Sequence, residues 1–139
     1  MRTVAPVFQL YRFSDDDAVW WRLVSPNGRG LARASVPGRD PDAVRLELDG
    51  LAARLPGLET TIRLTPEYRW RWSLREDDLD VAQGIGDQDR RVRCVHACRT
   101  FIELVPDARV DPVVATYRRA GQNPVLLRSA DVRRGDFGS

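Results

Sequence analysis

The segment Cys94-Val95-His96-Ala97-Cys98 puts both thiols and the single histidine of the chain within five residues. Thiolate and imidazole are ligand types that hold zinc, and two close thiols also raise the question of redox chemistry. The spacing argues against both. The segment reads as helix, where each residue turns about 100°, so Cys94 and Cys98 fall about 40° apart while His96 falls about 200° from Cys94. One ion does not reach all three on an unbroken helix, and a structural zinc wants four ligands. Side chains at i and i+4 also run side by side with poor geometry for a disulfide. The expectation is two reduced, buried thiols acting as small hydrophobes, with no metal and no cofactor.

The carboxylates are equally unpromising as chemistry. Asp15-Asp16-Asp17 and Asp77-Asp78-Asp80 could serve as general bases or as hard-cation ligands, but each cluster falls in a predicted turn, where acidic runs are solvated. Gly84-Ile85-Gly86 lacks the third glycine and the strand-to-helix setting of a phosphate loop. Arg134-Gly135-Asp136 is a tripeptide in a predicted tail. No nucleophile, base and orienting partner come together, so a catalytic site is not expected.

The arginines are more suggestive. All 22 basic residues are Arg, against 20 acidic residues, for a net charge of +2. Codon usage in a GC-rich genome explains the missing lysines; selection for bidentate anion recognition is the functional alternative. Tyr68-Arg69-Trp70-Arg71-Trp72-Ser73-Leu74-Arg75 alternates apolar and polar, the pattern of a half-buried strand. With Tyr68, Trp70, Trp72 and Leu74 turned inward, Arg69, Arg71 and Arg75 turn outward. An earlier strand turns Val19, Trp21 and Leu23 inward and leaves Trp20 and Arg22 outside, and the leading strands add Gln9, Tyr11 and Arg63. The predicted surface is therefore Tyr11, Trp20, Arg22, Arg63, Arg69, Arg71 and Arg75, with Arg22 and Arg71 at equivalent sites. Rings and guanidiniums together suit single-stranded nucleic acid, through stacking and phosphate contacts. A sheet face bathed in solvent, or covered by the tail, a protein partner or a second copy, explains them as well.

Two copies of one unit position these residues. Trp20-Trp21-Arg22-Leu23 is echoed by Arg69-Trp70-Arg71-Trp72 forty-nine positions later. Leu31-Ala32 matches Val81-Ala82 at a spacing of fifty, which then holds through Val44, Leu48, Leu51, Leu55 and Pro56 against Cys94, Cys98, Phe101, Val105 and Pro106. Phe8 and Leu10 match Ile62 and Leu64. Asn27-Gly28 is a strong hairpin turn, Asp40-Pro41 is a helix start, and Pro56-Gly57 and Pro106 are stops. The expected fold is α+β: two tandem β-β-β-α(-β) repeats, about 7–57 and 61–107, sharing one antiparallel sheet with both helices on one face. A C-terminal β-hairpin extension over 111–130 and a frayed tail over 133–139 complete a single domain, 1–139.

Phe8-Gln9-Leu10-Tyr11-Arg12, Trp21-Arg22-Leu23, Asn27-Gly28-Arg29 and Leu31-Ala32 followed by a helix resemble the YegP-like family, a bacterial domain of unknown function often found as a tandem pair. The resemblance covers about residues 7–108. The second unit lacks the Asn-Gly turn, and Val36-Pro37-Gly38-Arg39-Asp40 stands where the family usually has an aromatic Gly-Tyr and Ser-Lys pattern. The resemblance implies a unit whose last strand crosses to its partner's sheet, and it implies no catalytic residues. No apolar run reaches the roughly 18 residues of a membrane span, and Met1–Leu10 lacks the apolar core of a signal peptide, so the expected setting is cytoplasmic, without membrane contact. The expected role is a non-catalytic interaction or scaffold module, with a protein partner or self-association. The alternative is weak single-strand binding through the Arg/aromatic face.

Overall fold

The structure, a computed structural model, describes residues 5–120 and 123–126. The segment 133–139, expected to fray, lies outside the described residues. The chain runs β1 (Val7–Phe13), β2 (Val19–Val24), β3 (Gly30–Ala34), α1 (Pro41–Arg54), β4 (Glu59–Leu64), β5 (Trp70–Glu76), β6 (Leu79–Gly84), α2 (Arg91–Leu104), β7 (Arg109–Ala120) and β8 (Asn123–Leu126). The strands form one eight-stranded sheet in the order β4-β5-β6-β3-β2-β1-β7-β8. This is an α+β fold.

The sheet is mixed rather than antiparallel throughout. β7 leaves α2 through a short 3-10 turn, Val105–Asp107, and runs parallel to β1, from Val7 opposite Arg109 to Phe13 opposite Tyr117. Apolar alternation reports which way a side chain points and not the direction of the neighbouring strand, so the parallel pair is invisible in the pattern.

The centre of the sheet is built from small residues. β3 and β6 pair through Ala32 with Gly84, Arg33 with Gln83 and Ala34 with Ala82. The low relief of Ala32, Ala34, Ala82 and Gly84 leaves room for bulk from the next strands out. A Cβ on Gly84 would lie 2.5 Å from the Trp72 indole nitrogen, so that indole occupies the space a side chain would need. Phe101 of α2 lies 6.2 Å from Trp21 in a stacked arrangement and 5.3 Å from Trp72 at a tilt, and Phe8 meets Trp21 edge-on at 5.3 Å. Val44, Leu48 and Leu51 of α1 and Cys94, Cys98 and Phe101 of α2 join the same buried cluster.

Local signals explain the helix ends. The Asp40 carboxylate accepts from the Ala43 N–H at 2.7 Å, and Pro41 occupies the first helical position, where its missing N–H costs nothing. Arg90 precedes α2 without a side-chain cap. In the β5–β6 turn Asp77 and Asp78 both adopt positive φ, 51° and 66°, the backbone of a tight two-residue hairpin that Asp tolerates better than most residues. Asp16 likewise accepts from the Ala18 N–H within its own turn. Turn formation thus accounts for Asp16, Asp77 and Asp78, whereas Asp80, expected in the same turn, lies in β6 and pairs with Arg75.

Three expectations need correction. Tyr68 does not open a strand: it has φ 62°, is 80% exposed, and belongs to the turn that Thr65 organises by accepting from the Tyr68 and Arg69 N–H groups. Trp70 is half-buried rather than a core residue, and Trp20 is equally half-buried rather than exposed, whereas Trp21 and Trp72 are buried. The match of Trp20–Leu23 to Arg69–Trp72 is two residues out of step. Trp21 faces Leu10 and Trp72 faces Ile62 across their hairpins, and Val19 bridges Gly38 as Trp70 bridges Gln88. Trp21 and Trp72, fifty-one positions apart, therefore occupy matching stations. The same registers put Phe8 opposite Leu23 and Thr60 opposite Leu74, so Phe8 matches Thr60 and not Ile62. A two-residue slip preserves every inward and outward assignment, which hides it from alternation alone.

Candidate functional site

On the face of the sheet that alternates with the buried one, six strands contribute one polar residue each to a continuous row. Gln9 stands opposite Arg22, Arg22 opposite Arg33, Arg33 opposite Gln83, Gln83 opposite Ser73, and Ser73 opposite Thr61. The Arg22 Nε donates to the Gln9 Oε1 at 2.9 Å. With its amide oriented to satisfy both neighbours, Gln83 accepts from the Arg33 Nε and Nη2 at 3.2 and 3.0 Å and donates to the Ser35 hydroxyl at 3.3 Å. Gln9 and Ser73 are buried polar residues of the chain, so the row is part of the packed sheet rather than a loose fringe.

The seven residues expected to share this face separate into three groups. Tyr11 stands opposite Trp20, next to Arg22 in the row, and its ring meets Phe13 at 6.0 Å and Tyr117 at 5.8 Å edge-on. Burial raises the Tyr11 phenol, partly offset by the Arg33 and Arg22 guanidiniums, and burial raises Tyr117 as well. Both phenols are therefore hydrogen-bond donors at neutral pH. In the second group Arg63 stands directly opposite Arg71, and both are exposed. Asp87 reaches the Arg69 Nε at 2.8 Å but Arg71 only at 3.8 Å. Arg75 stands apart, its Nε 3.0 Å from Asp80 and one Nη donating to the Asp78 carbonyl at 2.6 Å.

Arg22 and Arg71 are not equivalent. Arg22 lies in the polar row, whereas the residue of β5 in that row is Ser73. Sequence reasoning missed Arg33, Gln83 and Tyr117. Arg33 sits between two buried alanines in a short strand, an alternation signal that was available; Gln83 gains its place only through the β3–β6 register.

Cys94 and Cys98 are free thiols, both buried. Burial raises both, and it pushes Cys98 up to about 11 although a hydrogen bond with Thr60 opposes the shift. A raised thiol favours the folded state fully below its unfolded value of 9.0, and that contribution is lost as pH climbs from 9.0 through about 11. The expected result is that neither thiol reacts with a disulfide reagent at pH 8 until urea unfolds the chain, and that Cys98→Ala costs about 1 kcal/mol in urea titration, the scale of a small buried deletion. Rapid labelling of the native protein would contradict the burial argument. Among the described residues no three His, Cys, Asp or Glu side chains come close enough to hold a metal ion, and no helix is long and apolar enough to cross a membrane.

Neither family models nor curated protein sequences match this chain. Solved structures do. YegP from E. coli, a protein of unknown function, superposes with a TM-score of 0.64 at 12% identity, covering 88% of this chain and all of that one. A UPF0339 protein from Shewanella oneidensis superposes with a TM-score of 0.65 at 8% identity, covering 79% of this chain and 92% of that one. At such identities the likeness is one of fold, and it agrees with the resemblance carried by the first 32 residues.

Proposed function

We propose that this chain is a non-catalytic interaction module that docks an acidic segment of a protein partner on the β4–β5 side of its polar sheet face. The carrying observation is the Arg63–Arg71 pair. Like charges directly opposite on neighbouring strands disfavour the free sheet, both side chains are exposed, and the carboxylate that Arg71 reaches, Asp87, lies closer to Arg69 than to Arg71. The polar row and the Tyr11–Phe13–Tyr117 ring group stiffen the platform beside it. The module is read as two tandem β-β-β-α units, about 7–57 and 61–107, in one domain, related by a pseudo-twofold axis through the Arg33–Gln83 pair, with both helices on one face. The recurrence of the element order, the fifty-residue spacing of that pair and the matching Val19–Gly38 and Trp70–Gln88 bridges support this reading.

A second reading, single-stranded nucleic acid, is favoured by the same cation pair, with Trp20 as the stacking ring. One set of titrations separates the two. An acidic peptide of alternating Glu and Ser is expected to bind the full chain at low salt, and Arg63→Glu with Arg71→Glu is expected to abolish binding. Random single-stranded RNA is expected to bind more weakly, given a net charge of only +2. If RNA binds better, with a log–log salt slope that falls by about 0.7 per arginine removed and a loss of about 1–3 kcal/mol on Trp20→Ala, the nucleic-acid reading replaces the protein reading. Binding of neither polyanion discards both.

A further inference from the structure

The single histidine, set aside as a metal ligand, lies in a cavity that no motif announces. A half-open groove of about 840 Å³ runs between the β2–β3 turn, the start of β5, the loop after β6, and α2. Trp70, Trp72, Leu31 and Ala97 supply its apolar lining, with Ile85 at 40% and Val92 at 70% exposure. Arg29 comes from the turn. Arg93, His96 and Thr100 come from α2, where spacings of three and four put them on one stripe, apart from the core stripe of Cys94, Cys98 and Phe101.

The charge of this lining is one-sided. It contains Arg29 and Arg93 and no carboxylate, in a chain with 20 acidic residues. Asp89 approaches Arg93 from outside the groove at 3.7 Å, and Asp87 is turned to Arg69 and Arg71. Arg29 makes no ion pair among the described residues. The walls are fixed in advance. Ser25 N–H donates to the Arg29 carbonyl at 2.8 Å and Gly28 N–H to the Ser25 carbonyl at 2.9 Å, while Trp70 and Gln88 exchange two backbone hydrogen bonds at 2.8 and 2.9 Å. Fifty positions earlier, α1 carries Ala43, Leu46 and Gly50 in place of Arg93, His96 and Thr100, and the end of β5 is tied to α1 by an Arg54–Glu76 ion pair at 2.8 Å. The donors therefore belong to one side of the molecule only.

We infer that this groove binds a small organic carboxylate with an aromatic body, the ring against Trp70 and Trp72 and the carboxylate held by Arg29 and Arg93. Planar guanidiniums suit a carboxylate, and an apolar cleft with few convergent polar groups is the usual form of a small-molecule site. The site is independent of the Arg63–Arg71 surface, and either can fail alone. The probe is 2-naphthoate, with 2-naphthamide as the neutral isostere and acetate as the ringless anion, titrated into the full chain while tryptophan fluorescence and the His96 imidazole NMR signals are followed. The expected result is saturable binding of 2-naphthoate with a shift of the His96 signals, and affinity at least about tenfold weaker for 2-naphthamide and for acetate. Arg29→Glu and Arg93→Glu, both surface positions whose fold is checked by circular dichroism, are each expected to weaken 2-naphthoate about tenfold or more. Arg118→Glu on β7 is expected to leave binding unchanged. Equal binding of acid and amide, unchanged affinity in both groove variants, or no saturable response would each overturn the inference.

Discussion

Trp72→Ala is expected to remove about 3–5 kcal/mol from the stability of the fold, a large share of the total for a domain of this size. The indole is 4% exposed, lies over Gly84 in the space where a Cβ would stand, and meets Phe101 at 5.3 Å. Its removal opens a space between the Phe101 ring and Gly84, which has no side chain to fill it. Trp70→Ala is expected to cost much less, because Trp70 is only half-buried, although both indoles line the groove. Urea titration of both variants checks the contrast. Equal losses would mean that the packing of β5 has been misread.

Phe101→Ala is expected to cost a similar amount, about 3–5 kcal/mol, and its loss should not be additive with that of its neighbours. The ring touches Trp21 from β2 and Trp72 from β5, at 6.2 and 5.3 Å, and so couples strands that lie on either side of the β3–β6 seam. A double-mutant cycle of Phe101→Ala with Trp21→Ala is expected to show a coupling of about 0.5–1.5 kcal/mol, the range for an aromatic pair beyond its buried area. Strict additivity would show that the stacked geometry contributes nothing of its own.

Much of the fold can be read from local patterns, because local physics fixes it. The stripes Val44–Leu48–Leu51 and Cys94–Cys98–Phe101 are core-facing, Asp40 caps α1, and Trp72 and Leu74 point inward while Arg71 points out. What escapes is set by partners distant in the chain. The parallel placement of β7, the two-residue slip between the tryptophan strands and the turn conformation of Tyr68 depend on register or on backbone dihedrals that apolar periodicity does not record. The site follows the same division. The outward arginines of β5 are legible, but their division between Asp87 and Asp80 is not, because both acids lie beyond the strand. The groove is least legible of all, since its residues come from segments 25–31, 70–72, 85–88 and 92–100 and form no motif.

The parallel pairing of β7 with β1 bears on how the chain reaches this state. Val7 must wait for Arg109, and Phe13 for Tyr117, before the edge of the first strand is closed. Contacts of such long range impose a large loop-closure entropy early and return stabilisation only late, which slows folding. On a ribosome, β1 to β3 emerge with α1 while the edge of β1 still has no neighbour, and an unpaired strand edge is a template for association with other chains. The strand that follows the second helix is thus the one that protects the first strand of the chain.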